Sequence, residues 1–399
     1  MATMLDPQID ALKYEMQEEA PRPARIKVVG IGGCGSNAVA HLLSAGLEGV
    51  EFYVINTDAQ ALAASPVPNK LAIGHKLTKG RGAGSDPAVG RQAALDDTER
   101  ILEILNGADM VFVTAGLGSG TGTGAAPVVA SLAKELNALT VAVVTKPFTF
   151  EGPRRLKQAE KGLGELVGTV DTVVAIPNDR LLTLVPRGTS ILEAFRMGHD
   201  LLRQMVEDIV AIITTPGLIN RDYSDIRATM FGMGCAMMGT ATARGENAAV
   251  EAARKAIGCP LLEDAGIKGA RNILVNIAGS SRLGLHEVHE ACALIRKAAE
   301  GDDVQVSFGI VLNESMADAV RVTVIATAFP RAAVPATDGQ KPLAQDAWIP
   351  TLEPQPTPEP LPTPEPAPPP AAAAPPPEEP LNPEDLDIPA FLRQGKVLL

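Results

Sequence analysis

Aromatic side chains are scarce in this chain: one Trp, three Tyr and nine Phe among 399 residues. The apolar fraction is still 46%, that of a globular protein, so the core must be built mainly from Val, Ile, Leu and Ala. Cysteine is equally sparse. Cys34, Cys235, Cys259 and Cys292 form no CxxC pair and show no metal-ligand spacing. That excludes a disulfide framework and a zinc ribbon, and reads as reduced thiols in a cytosolic protein. Positive charge is in deficit, with a net charge of -12. A nucleic-acid partner needs Lys and Arg to neutralise phosphates, so that class is set aside, as is adhesion to anionic lipid. No run of 18 apolar residues exists, so no direct membrane insertion is expected. Residues 1–24 lack the apolar core of a signal peptide and read as a flexible extension. No G-x-x-x-x-G-K-[ST] is present either, which excludes a P-loop nucleotidase. No repeat of solenoid period occurs.

What is there alternates. RIKVVG (25–30), EFYVINTD (51–58), DMVFVTAG (109–116), TVAVVTK (140–146) and TVVAIP (172–177) are short β-branched runs. Between them lie amphipathic helical stretches, among them SNAVAHLLSAG and 87–105. This period predicts a mostly parallel sheet covered on both faces. A long helix is predicted from about Ser190 to Ile213, broken at Pro216 and Gly217. Helices near 224–238 and 246–257 are expected next, then strands at 271–279, 304–312 and 321–329. The fold class is therefore α/β: a Rossmann-type parallel-sheet nucleotide-binding domain (25–189), a core helix and connection (190–216) and a second α/β domain (217–329).

At Pro330 the composition shifts. Residues 330–384 are dense in Pro, Ala and Glu and cannot bury enough apolar surface to offset chain entropy. They read as a disordered linker, extended at about 3.1 Å per residue where polyproline-like. Ile388, Phe391 and Leu392 then return within 385–399, the pattern of a docking peptide.

Two glycine-rich segments carry the chemistry. Gly30-Ile31-Gly32-Gly33-Cys34-Gly35 matches G-x-G-x-x-G between a strand and a helix, where backbone N–H groups and the helix N-terminus favour an anion. Alone it also fits a nicotinamide enzyme, with Asp58 as the acid at the end of the next strand. The second, Gly116 to Gly124 (GLGSGTGTG), lies at another strand-to-helix junction, with its helix expected near Ala125. A nicotinamide enzyme needs one phosphate loop; two can surround a longer phosphate chain. A third segment, Gly80 to Ser85, could close over its end.

GSGTGTG (118–124) resembles the signature loop of tubulin-like proteins. VVGIGGCGSNAV, NTDAQAL (56–62), ADMVFVTAGLGSGTGTGAAPVVA (108–130), TKPFTFEG (145–152), IPNDRLL (176–182), PGLINRDYSDIR (216–227) and DIPAFLR (387–393) extend the likeness. The chain is similar to the FtsZ family, the bacterial tubulin-like cell-division GTPases, over 25–329 and again in the terminal peptide. The resemblance implies a tubulin-like fold, GTP hydrolysed to GDP, Mg2+, and self-assembly into head-to-tail protofilaments. It further implies a cytoplasmic ring at mid-cell beneath the inner membrane, held through Asp387 to Arg393 by membrane-tethering division proteins. It makes 217–329 an activation domain. Gly32, Gly33, Cys34, Gly35, Ser36 and Asn37 are implied around the phosphates, Asn37 also near guanine. Gly118, Gly120, Thr121, Gly122 and Thr123 face them from the second loop. Glu151 and Arg155 are implied at the ribose, with Asn178 in the same site. Phe195 would stack on the base, and His199, with Asp200 beside it, would meet the base edge. Asn220, Asp222 and Asp225 would complete the neighbour's site. Four positions depart from the family pattern: Cys34 and Ser119 replace glycine, Arg221 an apolar residue, and His199 the usual Asp or Asn. Neutral imidazole offers guanine one acceptor.

Asp222 and Asp225 are spaced i, i+3 at a helix start, which suits either two convergent carboxylates or helix capping. The long helix spans about 36 Å at 1.5 Å per residue. With base contacts near its start, the loop at its far end would serve only the nucleotide of the next subunit. Two other readings stay open: a nicotinamide oxidoreductase, and a tubulin-like GTP-binding regulator that forms no filament.

Overall fold

A computed structural model describes residues 24–329 except 45, 48, 185–187, 215–222, 261, 263–265 and 301–303. The extension, the linker and the terminal peptide lie outside the described residues. In the first half, strands β1 (Ile26–Ile31), β2 (Val50–Asn56), β3 (Asn69–Ala72), β4 (Met110–Gly116), β5 (Leu139–Lys146) and β6 (Thr172–Pro177) alternate with helices. The helices are α1 (Gly32–Ser44), α2 (Ala59–Ala64), α3 (His75–Thr78), α4 (Pro87–Asp96), α5 (Thr98–Leu105), α6 (Gly120–Glu135) and α7 (Pro153–Thr169). Then come α8 (Asn178–Leu184), α9 (Ile191–Thr214), α10 (Tyr223–Met230), β7 (Gly234–Arg244), α11 (Ala248–Ile257), β8 (Asn272–Gly279), α12 (Leu285–Ala299), β9 (Gln305–Leu312) and β10 (Ala319–Thr327).

The strands form one ten-stranded sheet, ordered β3-β2-β1-β4-β5-β6-β7-β10-β8-β9. The first six are parallel, in the doubly wound order 3-2-1-4-5-6. β4 is buried along its whole length, as a strand covered on both faces must be. β6 meets β7 through only three residue pairs, Thr172 to Gly234 through Val174 to Ala236. Beyond them β10 runs antiparallel to both β7 and β8. One face of the first half carries α1, α9 and α10; the other carries α4 to α7. A third apolar cluster packs α11 and α12 on the second half.

Helix α9 joins the halves. Leu202, Met205, Val206, Ile209 and Val210 repeat at helical spacing and are buried with residues of β5, β6, β8 and β10. Its one buried acid, Asp208, accepts from Thr323 Oγ1 at 2.7 Å and lies 3.5 Å from the Arg321 guanidinium. Burial raises the Asp208 pKa, against the opposing pull of Thr323 and Arg321.

Two expected helices are corrected. The stretch 87–105 is two helices, because Asp97 leaves helical geometry at φ -113, ψ 25. Its carboxylate accepts from the Gly74 N–H at 2.7 Å. The helix expected over 224–238 ends at Met230. Gly232 and Gly234 follow with φ of 69° and 71°, and 234–244 becomes β7, paired with β10 along eight residues. The pairing across the sheet outweighs the local preference of a small-residue run.

Asp208→Ala strips β10 of its link to α9 and leaves Thr323 and Arg321 short of a partner. Urea unfolding at neutral pH is expected to show a loss of about 2 kcal/mol, with Asp208→Asn costing less because it keeps an acceptor. Equal stability of Asp208→Ala and the parent would contradict the link.

Candidate functional site

In an open α/β sheet the ligand crevice lies beyond the carboxyl ends of the strands, where the order reverses. Here that point falls between β1 and β4, which pair from Ile26–Met110 to Ile31–Ala115. Both glycine-rich segments leave the sheet at this point. α1 starts at Gly32, directly after β1. α6 starts at Gly120, not near Ala125, so Gly120, Thr121, Gly122 and Thr123 supply its first-turn N–H groups. The helices pack on opposite faces of the sheet, so their positive ends converge on one place.

Only glycine permits this approach. Gly32 has φ +70, and a Cβ there would lie 2.9 Å from the Gly122 nitrogen. A Cβ on Gly35 would meet the Thr114 carbonyl at 2.3 Å, and one on Gly118 (φ +86) the Arg155 carbonyl at 2.8 Å. Gly33 is different: it is exposed, with open space where a side chain would stand. Asn37, one turn on, is exposed too, whereas Ser36 is buried. The hydroxyls of Ser36, Thr114 and Thr123 are buried without a hydrogen-bond partner. Thr121 and Thr57 share a hydroxyl hydrogen bond of 2.6 Å. The third segment does reach the second loop, since Ala83 Cβ would lie 2.9 Å from a Cβ on Gly120.

The remaining predicted residues gather around β5, the 3-10 turn Thr149–Glu151 and the start of α9. Glu151 accepts from the Phe148 N–H at 2.9 Å and pairs with Arg155 at 2.5 Å. Asn178 opens α8, where neighbouring Asp179 accepts from the Thr149 N–H at 3.0 Å. His199 lies 3.9 Å from Cys34 Sγ through Nε2 and stacks on His41 at 5.6 Å between ring centroids. Burial lowers its pKa first, the nearby His41 adds to this, and Asp200 opposes it. Asp200 itself turns to Arg203 at 3.8 Å. Phe195 lies in the first turns of α9; its side chain is outside what is described. Cys34 fills the gap between β4, β5 and α9. Its thiol is 3.7 Å from Thr145 Oγ1, and a Cβ on Gly116 would come within 2.7 Å of its own. Burial raises this thiol's pKa, which favours the neutral form.

Two expectations separate from this cluster. Asp58, the candidate ribose acid of a dinucleotide site, caps α2 by accepting from the N–H groups of Gln60 and Ala61 at 2.9 and 3.2 Å. Asp225 sits exposed in the first turn of α10, at the other edge of the sheet. The Tyr223 hydroxyl donates to the Asp109 carbonyl, just before β4, and Thr172 Oγ1, at the start of β6, donates to the Met230 carbonyl at 2.5 Å. The seven residues of β4 therefore stand between Asp225 and the glycine loops, about 20 Å at 3.3 Å per residue. Asn220 and Asp222 lie outside the described residues. The Cys34–His199–His41 contact and the Thr57–Thr121 pair were not foreseen, as nothing in linear spacing marks them.

Comparison with known proteins agrees with this geometry. The model of the Tubulin/FtsZ family, GTPase domain, matches residues 25–186, and that of the FtsZ family, C-terminal domain, matches 234–330. An empty FtsZ dimer from M. jannaschii is 40% identical, with 81% of this chain and 92% of that chain covered and a TM-score of 0.72. CetZ2 from Haloferax volcanii, solved as a GTPγS-bound protofilament, shares the fold at 24% identity, covering 77% and 94%, with a TM-score of 0.67.

His199 is expected to stay neutral at pH 7, with its ring titrating below 6.5, the ordinary value. A depressed histidine contributes stability that is complete above 6.5 and is lost as pH falls through the lower value. Ring proton shifts followed by NMR against pH check this; a midpoint above 6.5 would contradict the packing against Cys34 and His41.

Proposed function

The chain belongs to the FtsZ family of tubulin-like GTPases, and from that premise we propose that it polymerises head to tail and hydrolyses GTP at each subunit joint. One observation carries the reading. The helix bearing Asp225 is anchored at the amino-terminal edge of β4 and β6, whereas the glycine loops leave the carboxyl edge of β1 and β4. A subunit stacked on another in the same orientation brings the first edge to the second.

In this reading the phosphates lie on the N–H groups opening α1 and α6. The buried hydroxyl of Ser36 gains an acceptor there, and Gly33 leaves room for the anion. Glu151, Arg155 and Asn178 border the sugar, and Phe195, His199 and Asp200 the base. Because the first six strands hold their loops rigidly, the cradle is preorganised before nucleotide enters. Asn220, Asp222 and Asp225 of the next subunit orient the attacking water and accept its proton. Magnesium, when bound, would supply charge neutralisation at the phosphates; the Thr121 hydroxyl of the second loop and the Thr57 hydroxyl just after β2 are oxygen donors that would hold it. Assembly thereby switches hydrolysis on. We extend the reading to the cell: a cytoplasmic division ring at mid-cell, in which residues Asp387 to Arg393 engage membrane-tethering division proteins. Among the described residues no helix is long and apolar enough to cross a membrane.

Asp225→Ala is expected to bind GTP as the parent does while turnover falls by at least about 100-fold, the scale for a lost acid–base group. Phosphate release at matched filament mass checks it; equal turnover would refute the role. Activity per subunit is also expected to rise above a threshold protein concentration. A rate strictly proportional to concentration would instead favour a self-sufficient monomer and the regulator reading.

A further inference from the structure

Thr145, Cys34 and His199 form a polar relay beside the glycine loops to which the nucleotide reading gives no task. Cys34 stands in the first turn of α1, inside the first glycine segment. Its side chain is confined, because it occupies the space that a Cβ on Gly116 would need, with that Cβ 3.0 Å from Sγ. From this position the thiol meets Thr145 Oγ1 of β5 at 3.7 Å and His199 Nε2 of α9 at 3.9 Å. Stacking on His41, with ring centroids 5.6 Å apart, holds the plane of the His199 ring.

The chemistry of the three groups sets the direction of the relay. Burial favours the protonated thiol, so Sγ carries a hydrogen to give. Thr145 pulls the thiol's pKa the other way, as a hydroxyl donating to sulfur does. Burial and the neighbouring His41 favour the neutral His199 ring, which has one acceptor nitrogen and one donor. Sulfur is a weak acceptor and an imidazole nitrogen a better one. The order is therefore Thr145 O–H to Sγ, then S–H to Nε2. A ring that accepts at Nε2 carries its proton on Nδ1. Nδ1 has no hydrogen bond among the described residues, and the ring is half-buried rather than sealed. The acceptor that neutral imidazole has to offer is spent on Cys34, and what remains for a ligand is a donor.

We propose that His199 reads the 6-oxo group of a purine through Nδ1–H, with Cys34 as the positioning residue that fixes this tautomer, so that the site takes 6-oxopurine nucleotides as a class. An N–H donor matches the oxygen on C6 of guanine, hypoxanthine and xanthine, and it opposes the 6-amino donor of adenine. The 2-amino group, which sets guanine apart from hypoxanthine, is left unread by this residue, because reading it needs an acceptor. The inference rests on the nucleotide reading and names what that site selects.

The test is competition binding of GTP, ITP and ATP to the nucleotide-free full chain, kept dilute so that no filament forms. The parent is expected to bind ITP within about threefold of GTP, and ATP at least about tenfold more weakly, the scale of one hydrogen bond made or opposed. His199→Asp presents carboxylate oxygens to N1–H and the 2-amino group, so its preference for GTP over ITP should open to about tenfold or more. Cys34→Ala releases Nε2 to take the ring proton, and Nδ1 becomes an acceptor that suits the 6-amino group. Its preference for GTP over ATP should fall several-fold, with ITP still tracking GTP. A merely structural Cys34 would weaken all three alike, and that result would overturn the relay. So would a parent that prefers GTP to ITP about tenfold. NMR of the histidine-15N-labelled chain without nucleotide gives a reading independent of binding. The His199 signals, identified by their loss in His199→Asp, should show a proton on Nδ1; a ring protonated at Nε2 alone would overturn the proposal. If none of the three nucleotides binds, the nucleotide reading falls and this inference with it, an outcome distinct from binding in the wrong order.

Discussion

The approach of Gly32 to Gly122 governs the rest of this structure. Two helices on opposite faces of one sheet bring their amino-terminal ends together, and their unsatisfied N–H groups and dipoles add. A single methyl group at Gly32 would press on the Gly122 backbone. Without an anion, converging positive helix ends and buried hydroxyls such as that of Ser36 are an unfavourable arrangement. The site is thus incomplete by construction, and a bound polyphosphate relieves it. The same six-stranded frame that aims these helices also keeps Asp225 a strand's length away.

Helix α9 packs on both halves of the sheet. It begins beside Cys34 and His199 at the carboxyl edge of the sheet and is pinned by Asp208 to β10 farther along. The apolar face between those points packs on both halves. The three-pair seam of β6 and β7 is thin by comparison. Any shift of the second half against the first must therefore be accommodated mainly along α9.

Much of the frame was legible in the residues. β1, β4, β5 and β6 are buried on both faces, so they read as unbroken β-branched runs, and the glycines between them had no other physical use at two matching junctions. α9 announced itself by its long apolar period. β7 did not, because Gly234 to Arg244 is a run of small residues whose strand character comes from β10, some 80 positions away in sequence. The break at Asp97 rests on a bond to Gly74, again invisible locally. Within the candidate site, the meeting of the two glycine loops was readable from glycine spacing. The contact of His199 with Cys34 and His41 was not, because it exists only where α1 and α9 pack together. Asp58 shows the reverse failing, a plausible ligand residue whose carboxylate is committed to a helix cap.

The central claim is that two subunits share one active centre, and complementation tests it most directly. Gly33→Leu puts a side chain where a Cβ meets no atom within 4 Å, so that subunit is expected to keep its acidic loop and lose its nucleotide. It is mixed with a subunit that binds GTP but lacks the Asp225 carboxylate. Each alone should be nearly inactive, and the mixture should release phosphate, since an intact cradle then faces an intact carboxylate. A mixture no more active than the sum of its parts would contradict a shared centre.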